Sequence, residues 1–340
     1  MIQESDPNLT VAKGYDERAA AGIHKKMEAT SRIPHLSHFN NWIKSCLIAN
    51  YCPEKFATIF DCACGVGGDM LKLKLKSPSY IVFGDISIES LTIVYAKYLR
   101  MRTPFQATFI GGDCFGSNIN ELIPDVRFHY VQCQFCFHYA FRTEELARNA
   151  VKNVCSQLLP GGSAVLTTVD ACALVRLFQN HSDLKIIKNS IFSVERKFEL
   201  VEIPTFGAEI VFSLVESLAY PEYLVHPGVI KALFSEFEME LVESKSFHEF
   251  YNDTINSDMN SDKKLYIKLL ELKNGISDAN MTQDEWDVIG LYRFYVFRKK
   301  GTLPPLPNSK PNLKKKFTNT FDVIQAETGE VIQKEAAVLD

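Results

Sequence analysis

The chain has 340 residues, of which 46% are hydrophobic and 23% charged, with a formal net charge of −4. This is an ordinary globular composition, long enough for one large domain or two small ones. It excludes a strongly basic nucleic-acid coat, so any RNA contact must be local.

The opening MIQESDPNLT lacks the basic-then-apolar pattern of a signal peptide, and no apolar run approaches membrane-spanning length. Residues 1–30 show no clear period and are expected to form a flexible N-terminal arm with a short helix near Glu17–Ala29. In SHFNNWIKSCLIANY (37–51), Phe39, Trp42, Ile43, Cys46 and Leu47 recur at helical spacing, with Ser37 as N-cap. ATIFDC is a buried strand, and a helix follows the glycines after it. YIVFGD (80–85) is a second strand, and ISIESLTIVYAKYLRM is a helix opening near Ser87. FQATFIGGD (105–113) and RFHYVQCQF (127–135) are the third and fourth strands. A helix begins at Thr143, with Glu144 and Glu145 at its positive end, and LLPGG turns the chain into the strand SAVLTTV. The alternation predicts an α/β fold: a mostly parallel sheet with helices on both faces and its ligand at the carboxyl ends of the strands.

The second half is mixed. IFSVERKFEL and EIVFSLVESL read as antiparallel strands, and GVIKALFSEFEM as a helix. Thr282 and Glu285 form a capping box, and YRFYVFRK (292–299) is a closing strand. Residues 301–340, Pro-rich and then basic at Lys314–Lys316, are expected to be a disordered C-terminal tail. The nine cysteines fit buried free thiols in a reducing compartment. Neither Cys133/Cys136 nor Cys62/Cys64 has a visible second ligand pair, so no metal is expected.

The segment FDCACGVGGD (60–69) packs three glycines between two aspartates, after a strand. Such a turn lets backbone approach a ligand closely. The dinucleotide fingerprint needs glycine at position 70, where Met70 stands. Asp85 ends the second strand, suited to a ribose diol; Asp113 ends the third, suited to an adenine amino group. A nucleoside without phosphates matches that set, and S-adenosylmethionine is the common cofactor of that shape. Asp61 and Asp69 are placed to orient the turn and face the ammonium end of the methionine.

With these residues the chain resembles the eukaryotic mRNA cap guanine-N7 methyltransferases. HFNNWIKSCLI (38–48) is similar to their F-N-N-x-x-K-x-x-L-I signature, DCACGVGGDMLKLK to their glycine turn, and QCQFCFHYAF (132–141) to Q-F-x-x-H-Y-x-F. FHEFY (247–251) and EWDVIGLYRFYVF (285–297) are similar to the late motifs. The resemblance implies a Rossmann-like class I S-adenosylmethionine-dependent methyltransferase domain over residues 31–300. Its cofactor half would be about 31–170, and an antiparallel cap-binding insertion with closing elements about 171–300. By position it implies cofactor contacts from Lys44, Gly65, Asp69, Asp85, Asp113, Gln134 and Tyr139. It implies cap contacts from Asn40, Asn41, Gly68, Lys74, Lys97, His138, Glu222 and Tyr292. His138, Tyr139 and Glu222 would position the reactants, and no residue would serve as acid or base.

The implied reaction is methyl transfer to N7 of the 5′ guanosine of capped RNA, in the nucleus, with other capping enzymes or RNA polymerase II as candidate partners and no membrane. The chain departs from the family pattern at Val66, Cys136, Val169, Asp170 and Ile210, has Lys97 for Arg, and has Asp16 for Asn. Two alternatives stay open at this point: a non-catalytic cap-binding scaffold, and a methyltransferase acting on another nucleotide or small molecule.

Overall fold

The computed structural model describes residues 7–21, 33–102, 105–215, 219–258, 260–272, 281–306 and 318–339. The chain begins with α1 (Pro7–Ala20). This corrects the expected arm: the helix starts at Pro7 rather than near Glu17, and Ala19 is buried. The rest of that expectation, residues 1–6 and 22–30, lies outside the described residues. Next is α2 (Pro34–Tyr51), which starts ahead of the expected Ser37 cap. Pro34 sits in its first turn, where it has no N–H to lose.

The alternating core then runs β1 (Thr58–Cys62), α3 (Met70–Leu75), β2 (Tyr80–Asp85), α4 (Ile88–Met101), β3 (Gln106–Gly111), α5 (Ile119–Leu122) and β4 (Phe128–Gln134). A 3-10 helix over Phe137–Arg142 leads to α6 (Glu144–Cys155) and β5 (Leu158–Val169). β5 runs straight through LLPGG, which was expected to turn; its pairing with β4 shifts register between Phe128 and Tyr130 to absorb the glycines. The expected caps of α4 and α6 form: Ser87 accepts from Ser90 N–H, and Thr143 from Leu146 N–H.

After α7 (Ala171–Asn180) come β6 (Ile186–Lys188), β7 (Phe192–Arg196), β8 (Glu209–Leu214) and β9 (Tyr220–Tyr223), which make a separate antiparallel sheet. The chain returns through α8 (Pro227–Ser235), β10 (Met239–Ser246), α9 (Phe247–Asn256), α10 (Ser261–Leu272), α11 (Gln283–Ile289) and β11 (Tyr292–Lys299).

The expectation of a disordered tail over 301–340 is also corrected. Residues 318–339 contain a hairpin, β12 (Thr320–Gln325) and β13 (Val331–Glu335), and β12 pairs parallel to β3. Phe321 and Val323 are buried and Asp322 between them is exposed, the alternation of a strand with one covered face. Phe321 stacks on Tyr95 with ring centroids 4.2 Å apart. The Lys314–Lys316 run lies outside the described residues.

Among the described residues the main sheet has the order β10-β11-β5-β4-β1-β2-β3-β12-β13. The strands from β5 to β3 pair in parallel, and β11 closes antiparallel on β5. Two apolar layers cover its faces: one includes Trp42, Phe83, Tyr98 and Phe294, the other Phe60, Phe128, Phe137 and Phe234. The order reverses at β1, between β2 and β4, so the crevice at the strands' carboxyl ends opens there.

One buried carboxylate joins the two ends of this domain. Glu285 closes the expected capping box with Thr282. It also accepts from the backbone N–H groups of His35 at 3.1 Å and Leu36 at 3.3 Å, the first turn of α2. Its other oxygen lies 3.0 Å from His35 Nδ1.

Candidate active site

β1 ends at Cys62, and the glycine turn follows. Gly65 has φ of +53°, and a Cβ built on it would meet nothing within 4 Å, so its bare side faces open space. Asp85, at the end of β2, pins this turn: its carboxylate accepts from Gly65 N–H at 2.6 Å and Ser87 N–H at 2.9 Å. Burial pushes the Asp85 carboxyl up to about 6, against the pull of those two amides. A cavity of about 230 Å³ opens above, lined by Gly65, Asp85, Asp113, Gln134 and Tyr139 together with Tyr15 and Val11. The structure thus gathers five of the seven expected cofactor residues around one space.

The other two, Lys44 and Asp69, form an ion pair at 3.0 Å beside the turn. Asp69 also pairs with Lys72 at 2.7 Å, and Lys72 donates to Asn41 Oδ1 at 3.1 Å. Burial alone would raise the Asp69 carboxyl, but the two ammonium groups outweigh it and hold it below the usual range. Asp61 is different. It accepts from Gln132 at 2.8 Å through one oxygen, the other is buried without a partner, and burial followed by the Asp69 charge pushes it up to about 8.

Beside the cavity, the 3-10 helix presents His138, and β9 presents Glu222 through its pairing with Ile210 of β8. His138 Nε2 and Glu222 Oε2 are 3.6 Å apart, beyond hydrogen-bonding reach. Both His138 nitrogens, Glu222 Oε2 and Gln134 Nε2 are buried with no partner. Burial pushes His138 down to about 3 and Glu222 up to about 8. Tyr292 is buried near Glu222, and burial raises its hydroxyl. Native proteins leave few buried polar atoms unpaired, so a cluster of them marks a place for a polar ligand.

Among the remaining expected cap residues, Asn40 has a buried Oδ1 without a partner, and Gly68 faces open space. Lys97 Nζ donates to the Val66 carbonyl at 2.7 Å, tying α4 to the glycine turn. Lys74 does not join them. Its Nζ donates to the Met101 carbonyl at 3.2 Å, at the C-terminal end of α4. That end lies just before β3 starts, at the opposite edge of the sheet from the cavity. Lys74 is therefore not among the expected residues that the structure gathers at the cavity, whereas Lys72 of the same helix reaches Asn41.

The departures acquire structural roles. Asp16 of α1 accepts from Ser87 Oγ at 2.6 Å and Glu89 N–H at 3.2 Å, capping α4 from outside. Asp170 caps α7 and pairs with Arg293 at 2.8 Å. Ile210 is fully buried core.

Two site residues escaped sequence reasoning. Tyr15 roofs the cavity, with its hydroxyl 3.5 Å from that of Tyr139; its position next to Asp16 in GYDERAAAG was the available signal. Lys72 lies in a lysine-rich helix, MLKLKL, where spacing alone does not separate it from Lys74.

The family profile of the mRNA (guanine-N(7))-methyltransferase domain matches residues 2–300, ending before the C-terminal hairpin. The mRNA cap guanine-N(7) methyltransferase 1 of Arabidopsis thaliana is 31% identical over 312 residues, spanning 86% of this chain and 81% of that protein. Its namesake from Oryza sativa subsp. japonica is 32% identical over 318 residues, spanning 89% and 84%. The mRNA cap guanine-N(7) methyltransferase of Schizosaccharomyces pombe is 30% identical over 310 residues, spanning 86% and 82%. With a family match over residues 2–300 and relatives at 30–32% identity across most of both chains, this parallel-sheet protein belongs to the mRNA (guanine-N7)-methyltransferase family.

Proposed function

We propose that this protein transfers the methyl group of S-adenosylmethionine to N7 of the 5′ guanosine cap of RNA, with the guanine held between His138, Glu222 and Tyr292. The observation that carries this reading is the set of unpaired polar atoms on His138, Glu222 and Gln134, buried beside the cavity that holds Asp85.

The residues fit the cofactor. Asp85 keeps lone pairs for a ribose diol while it fixes the turn, and Asp113 lies at the end of the next strand for the adenine amino group. The open side of Gly65 admits the ligand's backbone-hugging segment. Asp61 offers an unpaired oxygen in reach of the turn for an ammonium group. When bound, the cofactor supplies an electrophilic methyl on a sulfonium sulfur.

The chain's own work is to bind, orient and exclude water. Guanine presents acceptors at N7 and O6 and donors on its opposite edge. A carboxylate at Glu222 accepts from the donor edge and rejects adenine. His138, neutral because it is buried, donates from one ring nitrogen. Tyr292 contributes aromatic surface, braced edge-on by Phe135 at 5.2 Å and by Phe212 at 6.1 Å. Guanine N7 carries a lone pair and no proton, so no side chain has to remove one. Catalysis then rests on alignment, for which effective molarities of ~10⁵ M or more are known in well-oriented pairs. The acidic, aromatic surroundings stabilise positive charge before and after transfer.

The mRNA cap in the names of its relatives supports a nuclear site of action beside other capping enzymes or RNA polymerase II. No helix among the described residues is long and apolar enough to cross a membrane.

The test is incubation with labelled cofactor and GpppA- or GpppG-ended RNA, followed by digestion. N7-methylguanosine is expected. Tight cap binding without transfer would replace the reading with a scaffold, and label on another acceptor would replace the substrate.

A further inference from the structure

We propose that Glu327, in the turn of the C-terminal hairpin, is a positioning residue for the adenine end of the cofactor site, acting through Asp113. The proposal deepens the reading above, because it rests on Asp113 as the adenine acceptor. It adds a residue from beyond position 300, where the family match ends.

Three hydrogen bonds donated by backbone amides define the arrangement. Gly112 N–H donates to the Asp85 carbonyl at 2.9 Å, joining the third strand's exit to the ribose acid. Ala326 N–H donates to the Gly111 carbonyl at 2.8 Å, which brings the hairpin turn alongside that exit. Asp113 N–H then donates to Glu327 Oε1 at 2.8 Å. Gly112 has φ of +128°, and a Cβ there would run into both Glu327 carboxylate oxygens. A residue without a side chain at 112 is therefore what lets the carboxylate seat against the loop. Asp113 uses one of its own oxygens to accept from Phe115 N–H at 2.9 Å. Its main chain is held by Glu327 and its side chain by the following turn, so the carboxyl group is aimed rather than free to swing.

The hairpin is rigid enough to deliver this contact. Phe321 stacks on Tyr95, the Tyr95 hydroxyl donates to the Thr318 carbonyl at 2.9 Å, and Ala337 N–H donates to the Thr92 carbonyl at 3.2 Å. Glu327 itself is exposed and outside the apolar core, so replacing it leaves packing untouched.

The experiment uses the full chain and measures calorimetric affinity for S-adenosylmethionine and for 5′-methylthioadenosine, which carries the nucleoside without the amino acid. Glu327→Ala should weaken both by about fivefold, the scale of one exposed charge-assisted hydrogen bond. Glu327→Gln, which keeps an acceptor oxygen, should restore both to within about twofold. Melting temperature should not change in either variant, and the Asp113 amide should exchange with deuterium faster in Glu327→Ala alone. Asp113→Ala serves as the reference. If Asp113→Ala weakens binding and Glu327→Ala does not, the positioning role is overturned and the adenine reading stands. If Glu327→Ala weakens S-adenosylmethionine but not 5′-methylthioadenosine, the effect is not at the nucleoside end and the proposal is likewise overturned. If Asp113→Ala leaves both affinities unchanged, the adenine reading itself fails.

Discussion

His138 and Glu222 face each other across 3.6 Å without a hydrogen bond, each with buried polar atoms left unpaired. A ligand that supplies partners to both would relieve that cost, and the guanine edge of the proposed substrate offers groups that can. The arrangement also sets a pH dependence. Burial raises the Glu222 carboxyl to about 8, so below that value the free site holds a neutral acid. Guanine's donor edge prefers the carboxylate. Cap affinity should therefore rise about tenfold per pH unit as pH approaches 8 from below, while Glu222→Gln should flatten the profile and weaken cap binding. Equilibrium titration of a cap analogue from pH 6 to 9 checks this; a flat wild-type profile would contradict it.

Free-protein stability should move in the opposite direction. The folded value of Glu222 lies above its ordinary 4.5, so its contribution is complete below pH 4.5 and is lost as pH rises toward 8. Thermal melting of wild type and Glu222→Gln across that window should show the variant gaining on the wild type. The gain should reach a few kcal/mol, at roughly 1.4 kcal/mol for each tenfold change in the ionisation constant on folding. Contributions from Asp61 and Asp85 cancel in this comparison.

Asp85 holds the turn, and in the proposed function it binds the ligand as well. Removing its carboxylate strips the acceptor from Gly65 N–H and Ser87 N–H as well as from a ribose. Asp85→Ala should raise the S-adenosylmethionine dissociation constant at least a hundredfold and also lower stability by about 1–3 kcal/mol. Cofactor calorimetry with denaturant melts measures both; an unchanged dissociation constant would remove Asp85 from the ribose site.

Lys72 and Lys74 make a matched pair. Lys72→Ala breaks contacts to Asp69 and Asn41, and should lower kcat/KM for capped RNA at least tenfold. Lys74→Ala loses only a bond to the Met101 carbonyl and should change kcat/KM less than twofold. Equal losses in the two variants would show that both ammonium groups reach the substrate.

The C-terminal hairpin should be integral to stability. Phe321 is buried between Tyr95 and Phe109, so Phe321→Ala should cost about 3–5 kcal/mol by urea denaturation. A change below about 1 kcal/mol would mean that the hairpin packs on the sheet without supporting it.

The parallel core was legible because its signals are local. Buried strands such as YIVFGD read as apolar runs, and Ser87 and Thr143 announced their helices by cap chemistry. The placement of Asp85, Asp113 and Gln134 around one cavity followed, since the strand ends carry them. The hairpin was hidden because its short alternation, Phe321 to Val323, follows a Pro-rich and basic stretch that dominates the composition. Tyr15 was missed because a roof is a tertiary relation: the residues beneath it come from the far side of the sequence. Lys72 and Lys74 could not be ranked because their difference lies in the rotation of a six-residue helix.

The carboxylate of Glu285 bears on whether this enzyme can be divided. It terminates hydrogen-bond donors from residues 35 and 36, yet it arrives with the last helix before the closing strand. A fragment cut near residue 170 would leave the start of α2 with bare amides, and with them the orientation of Asn41 and Lys44. Complementation between separately expressed halves would therefore have to rebuild this one buried junction before either half could hold a ligand.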